Sequence, residues 1–236
     1  MKYGTLYGVG VGPGDAELVT VKATKVLGQV AVVFAAASSN NNYSLAVQIA
    51  APYLKQGVPV ERLGFPMSRD KKMLADAWEE NGRKVVETLK QGKDAAFITL
   101  GDPLIYSTFG YILETIRETD PDIPIKIIPG VTSYQAGAAA AGRILVEADE
   151  SYAVISGAAG ARRLKQVIDH TDSVVMLKVY RNYREILDTL DELDLTAGSV
   201  LISRCGLDGE EIVRNLKDRD HTAPPYMSLL IIRKRP

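Results

Sequence analysis

"LYGVGVGPGDAELVTVKA", residues 6–23, decides how the rest of the chain is read. Gly8, Gly10 and Gly12 stand at alternate positions, Gly14 follows, and a helix-like pattern begins directly after them. A strand running into a glycine turn and then a helix is how a parallel α/β sheet opens, and also how its phosphate loops look. The dinucleotide fingerprint G-x-G-x-x-G nevertheless fails in both registers. Its third glycine is replaced by Pro13 when counted from Gly8 and by Asp15 when counted from Gly10. No Asp or Glu lies between Glu17 and Glu61 to bind a ribose hydroxyl at the end of the second strand, and Asp15 would repel a pyrophosphate. "QGKDAA" (91–96) has Gly-Lys but lacks the hydroxyl and the upstream glycine of a nucleotide P-loop. Taken alone, the stretch also reads as a tight structural turn, with Pro13 fixing φ and Asp15 capping a helix over 17–28.

Outward from this turn, buried strands alternate with helices. "VAVVFAA" (30–36), "DAAFITL" (94–100) and "IPIKIIPG" (123–130) are continuous apolar runs, and helices are expected near 44–55, 70–91 and 107–118. Such alternation predicts a parallel sheet covered on both faces. "YQAGAAAAG" (134–142) is a small-residue helix that lets another backbone come close. Beyond it, "SYAVIS", "SVVMLKV", "SVLIS" and "YMSLLII" are strands, with helices only over 162–169 and 181–193. The last two connections lack room for helices, so this second sheet is predicted to be mixed. The expected fold is therefore α/β: two α/β domains, 1–130 with a mostly parallel sheet and 131–236 with a mixed one.

Bulk properties narrow the function. With 28 Lys plus Arg against 29 Asp plus Glu in 236 residues, no global field attracts nucleic acid or a membrane surface. A single cysteine, Cys205, excludes a disulfide framework. His170 and His221 lack partners at ligand spacing, so no protein-bound metal is expected. No apolar run approaches the length of a membrane span, and the chain opens on a strand rather than a secretion signal. A soluble, cytoplasmic protein is the expectation.

Two further turns, "LGDPLIYST" (100–108) and "IPGVTS" (128–133), also follow buried strands. In parallel α/β sheets, loops beyond the carboxyl ends of the strands form the binding crevice. Asp15, Asp102, Tyr106, Ser107, Thr108, Thr132 and Ser133 then give a polar floor built largely of backbone.

"GVGVGPGD", "TLGDPLIYST" and "IPGVTSYQA", in this order and spacing, resemble the tetrapyrrole (class III) S-adenosylmethionine-dependent methyltransferases, over essentially the whole chain. "GTLYGVGVGPGD", "TLGDPLIYSTFGYI" and "LKVYRN" are similar to the branch that methylates C-20 of a corrin precursor, precorrin-2 or cobalt-factor II. The resemblance implies two α/β domains with the cofactor, S-adenosyl-L-methionine, in the cleft between them. It implies that Gly101 and Asp102 contact its methionine part with Ile105 beside them, and that Thr132 and Ser133 are the family's hydroxyl pair. Leu177 stands where a methionine is common at the adenine, Gly206 matches a backbone contact, and "PPYMS" (224–228) closes the adenine side. Pro13, Gly14 and Asp15 face the tetrapyrrole, so the first loop is a floor for a macrocycle. Relatives also lead to the expectation of a homodimer. "SSNNNYS" (38–44) and "GAAGARRL" (157–164) depart from the family pattern.

The residue chemistry is compatible with that resemblance. Methyl transfer from a sulfonium needs alignment and exclusion of water, not a covalent nucleophile. A base need only remove one proton from the attacked carbon, and Asp102, Asp15 and Tyr106 are the candidates. Asp102 reads equally well as a turn-forming cap. Arg143, Arg162, Arg163, Lys178, Arg181 and Arg204 form the basic set from which carboxylate clamps for the substrate would come, Arg181 foremost. Other readings remain open at this level: a same-fold methylase acting at a different corrin carbon, and a non-catalytic tetrapyrrole or cofactor carrier.

Overall fold

A computed structural model of the chain describes residues 2–37, 44–66, 68, 70–219 and 222–234. Most of "SSNNNYS" and His221 lie outside the described residues. The chain forms two compact units, Met1–Thr132 and Ser133–Pro236.

The first unit holds β1 (Leu6–Gly10), β2 (Val32–Ala37), β3 (Val60–Gly64), β4 (Ala95–Thr99) and β5 (Ile125–Ile128) in the order β3-β2-β4-β1-β5. Every pairing is parallel. Right-handed crossovers then send helices to opposite faces according to the direction of each step along the sheet. α1 (Val21–Leu27) and α2 (Leu45–Ala50) cover one face, α3 (Lys71–Lys90) and α4 (Phe109–Thr119) the other. Strand side chains sort with period two. Leu6, Phe34 and Phe97 pack with Leu89, Phe109 and Ile112 of α3 and α4. Val9, Val33 and Ile98 pack with Ala23, Leu27 and Ile49 of α1 and α2. Gly8 points toward α4, where a Cβ would stand 2.3 Å from the Phe109 ring, so the ring occupies the place a side chain would take.

Two local features differ from the sequence expectation. The helix expected over 17–28 is a single 3-10 turn, Ala16–Leu18, followed by α1. Asp15 caps only the short turn, accepting from Glu17 N at 2.8 Å, whereas Thr20 is extended and caps α1 by accepting from Ala23 N at 3.3 Å. β3 was not anticipated because it is an edge strand whose only buried residue is Leu63, so it carries no apolar run.

The second unit contains α5 (Ser133–Ala141), β6 (Tyr152–Ser156), α6 (Arg162–Val167), β7 (Ser173–Leu177), α7 (Tyr183–Glu192), β8 (Ser199–Ser203), β9 (Glu211–Val213) and β10 (Ser228–Arg233). Its sheet runs β6-β7-β10-β8-β9. β6 and β7 are parallel, while β10 is antiparallel to both neighbours, so the sheet is mixed. Val174, Met176, Leu201 and Leu230 pack with Leu164, Ile186 and Leu190 of α6 and α7. On the other face the small residues of α5 permit close approach, and a Cβ on Gly137 would lie 3.5 Å from Ile202. β9 is another short edge strand that the apolar pattern did not reveal.

The Gly8–Phe109 contact predicts that Gly8→Ala lowers the stability of the first unit by about 1–3 kcal/mol through overpacking. Gly110→Ala, on α4 where a Cβ meets nothing within 4 Å, should instead add up to ~1 kcal/mol of helix propensity. Urea unfolding midpoints check both. Equal midpoints for the two variants would contradict this packing.

Candidate functional site

β4, β1 and β5 are adjacent and parallel, so their carboxyl ends deliver the three glycine turns to one edge of the first sheet. The chain leaves β1 toward β2 over one face and leaves β4 toward β5 over the other, which makes their junction a topological switch point. The turns touch backbone to backbone. A Cβ at Gly10 would stand 2.4 Å from the Gly101 carbonyl oxygen, and one at Gly130 would stand 2.1 Å from the same oxygen. Gly101 N donates to Gly12 O at 2.8 Å, closing a two-residue bridge in which Gly12 and Gly101 have φ of +78° and +63°.

Asp102 ties the second turn to the third. Its Oδ1 accepts from Leu104 N at 2.9 Å and its Oδ2 accepts from Gly130 N at 3.1 Å. The Ser107 hydroxyl lies 2.9 Å from the Thr99 hydroxyl and accepts from Phe109 N at 3.1 Å, which fixes the start of α4. Between these anchors Leu104, Ile105 and Tyr106 are exposed, and Tyr106 sits at a φ of 50°. Non-glycine residues tolerate that region only where the surroundings hold them in it. Pro13 is buried, Gly14 half-buried and Asp15 exposed. Thr132 is buried at the end of the first unit, and Ser133 opens α5 of the second. Pro13, Gly14, Asp15, Gly101, Asp102, Ile105 and Tyr106 are thus carried by neighbouring turns of one unit.

In the second unit, the register Leu229↔Leu177 and Ser228↔Ser203 puts the ends of β7 and β8 beside the start of β10. Ser228 Oγ donates to Pro225 O at 2.8 Å and lies 2.9 Å from Ser203 Oγ, which fixes "PPYMS" against β8. Leu177 is half-buried at this edge. Gly206, at a φ of 71°, gives its N–H to the Glu210 carboxylate at 2.7 Å, so that amide is committed within its own loop. Cys205 is buried, and its thiol is pushed up to about 11, first by burial and then by the Glu210 carboxylate beside it. A thiol held protonated is a packing group, not a nucleophile.

The basic candidates separate. Arg143 donates to the Gly198 carbonyl at 2.9 Å and braces the second unit instead of standing ready for a ligand. Arg162 and Arg163 are exposed in the first turn of α6. Lys178 and Arg204, at φ of 59° and 54°, directly follow β7 and β8. Arg181 donates Nε to the Tyr180 hydroxyl at 2.6 Å, and Tyr180 packs edge-on against Tyr226 at 5.1 Å. The packing of Tyr180 on Tyr226, 46 residues away, carries no local sequence signal, and the Glu210 contact depends on the loop turning back at Gly206. Among the described residues, no three His, Cys, Asp or Glu side chains are grouped to hold a metal ion, and no helix is long and apolar enough to cross a membrane.

The model of the family Tetrapyrrole (Corrin/Porphyrin) Methylases matches residues 5–218, a span that includes all three glycine turns. The chain belongs to this family. It is 34% identical over 233 residues to the cobalt-precorrin-2 C(20)-methyltransferase of Salmonella typhimurium strain LT2, covering 98% of this chain and 97% of that protein. Its fold is shared with a cobalt precorrin-4 methyltransferase at a TM-score of 0.76 and 22% identity, over 97% of this chain and 94% of that one. It is also shared with the uroporphyrin-III C-methyltransferase of Thermus thermophilus, solved with S-adenosyl homocysteine, at a TM-score of 0.71 and 22% identity over 98% of both chains.

The Asp102 contacts generate a prediction independent of any ligand. Asparagine has one acceptor oxygen where the carboxylate has two, so Asp102→Asn must abandon either Leu104 N or Gly130 N. The expected loss is ~1–2 kcal/mol in urea unfolding. A wild-type midpoint would show that the carboxylate does not hold the turns together.

Proposed function

We propose that this protein is an S-adenosylmethionine-dependent C-methyltransferase acting at C-20 of precorrin-2 or cobalt-factor II in cobalamin biosynthesis. The observation that carries this reading is the full-length likeness to a C-20 methyltransferase, whose span includes the three turns that meet at one sheet edge. A soluble, cytoplasmic homodimer is part of the same proposal.

The residues suit the methyl donor by charge. S-adenosylmethionine carries a sulfonium and an ammonium, and the first unit offers Asp102 and Asp15 where a phosphate ligand would need cations. Each Asp102 oxygen accepts one backbone bond and keeps a further lone pair for a donor on the ligand. In this reading Gly101, Asp102, Ile105, Thr132, Ser133, Leu177 and Gly206 hold the cofactor, with Gly206 acting through its carbonyl because its N–H is taken. When bound, the cofactor supplies an activated methyl group with its own driving force. The chain's part is to align that group with the carbon and keep water out.

Pro13, Gly14 and Asp15 form the floor for the tetrapyrrole, and Arg181 meets one of its carboxylates. Of the three candidate bases, Asp15 is the best placed to accept the departing proton. It is exposed and spends one oxygen on Glu17 N, whereas protonating Asp102 would weaken two backbone ties. Tyr106, exposed four residues after Asp102, is the third candidate.

Thermal unfolding with ligands tests the reading. S-adenosylhomocysteine at a hundred times its dissociation constant should stabilise the protein by ~2.7 kcal/mol, with no effect of NAD or NADP. Stabilisation by NAD and none by S-adenosylhomocysteine would overturn it.

A further inference from the structure

Where β7 and β8 of the second sheet end, two basic residues directly follow the strands in the left-handed region: Lys178 after β7 at a φ of 59° and Arg204 after β8 at 54°. Glycine or asparagine would hold that backbone more cheaply. Arg181 lies three residues after Lys178, exposed, and among the described residues neither Arg181 nor Arg204 forms an ion pair.

The orientation of Arg181 is set by its neighbour in the chain. Its Nε donates to the Tyr180 hydroxyl at 2.6 Å. Its guanidinium carbon is 5.5 Å from the centre of the same ring, which is where a group bonded to the ring's own hydroxyl must lie, so the contact is at the ring edge and not over its face. Tyr180 is itself held, packed against Tyr226 at 5.1 Å with the rings inclined at 61°. Tyr226 is 63% exposed on the segment entering β10, the antiparallel neighbour of β7. With Nε engaged, the four N–H donors on the two terminal nitrogens of Arg181 remain, arranged as a fork.

We infer that Tyr180 is a positioning residue that fixes the Arg181 guanidinium as a clamp for one acetate or propionate arm of the tetrapyrrole, with the exposed Tyr226 ring as the apolar wall beside it. This rests on the proposed function and adds to it the device that orients the macrocycle. A fork held in place loses little rotamer freedom on binding a carboxylate, so the gain appears in substrate affinity and not in the chemical step. The donor also has a carboxylate. The tetrapyrrole is favoured because it presents many carboxylates around a flat apolar ring, which matches clustered cations beside an exposed aromatic.

The test compares wild type, Tyr180→Phe, Arg181→Ala and the double variant, each checked for an unaltered melting profile. Steady-state methylation is measured with precorrin-2 and with cobalt-factor II, and S-adenosylhomocysteine binding by calorimetry. Tyr180→Phe keeps the ring packed on Tyr226 and removes only the hydroxyl. It should raise KM for the tetrapyrrole by about tenfold, with kcat and the S-adenosylhomocysteine dissociation constant unchanged. Arg181→Ala should raise KM at least as much, and the double variant no further than Arg181→Ala, because the hydroxyl acts through the guanidinium. An unchanged KM in Tyr180→Phe, additive effects in the double variant, or a shift in S-adenosylhomocysteine binding in place of KM would overturn the inference while leaving the methyltransferase reading intact. A wild-type protein that methylates neither tetrapyrrole would instead defeat the reading on which it rests.

Discussion

Gly10, Gly101 and Gly130 meet backbone to backbone, the first and third with no room for a side chain and the second at a φ of 63°. Gly10 and Gly130 both close on the Gly101 carbonyl, at distances that leave no place for a Cβ. The approach matters because it draws the carboxyl ends of β4, β1 and β5 together at the switch point, and Asp102 then ties the second turn to the third. Everything displayed at that edge, from Asp15 to Tyr106, takes its place from this backbone contact. The glycines here serve packing, which is why they resemble a phosphate loop in composition and match none in spacing.

In the proposed function Asp102 and Asp15, at turns of the first unit, serve the donor and the macrocycle, and Arg181 of the second meets a substrate carboxylate. The chemistry asks little else of the protein. A sulfonium methyl is already activated, so alignment and exclusion of water carry the rate, with one proton to be removed.

Much of this was legible in the sequence because the strands at the centres of both sheets are continuous apolar runs. β2, β4, β8 and β10 are buried along most of their lengths and read as such. β3 and β9 are edge strands with few buried residues, and an apolar pattern cannot report them. The start of α1 was misplaced because Asp15 and Thr20 are both good caps, and only the fold shows that Asp15 serves a single 3-10 turn. The glycine turns were legible from spacing and from family resemblance. The bond from Gly130 to Asp102, 28 residues apart, and the pairing of Tyr180 with Tyr226 were not, since long-range contacts leave no local signal. Arg143 shows the converse. Its type suited a carboxylate clamp, but its position directs it to a backbone carbonyl.

The most direct measurement of the central claim is transfer of a 13C-methyl group from labelled S-adenosylmethionine to a tetrapyrrole, followed by carbon NMR of the product. Precorrin-2 and cobalt-factor II are each offered to the wild-type protein. One new labelled methyl signal, located at C-20, is expected on at least one of them. A label at another carbon, or none on either substrate from a protein shown to bind S-adenosylhomocysteine, would contradict it.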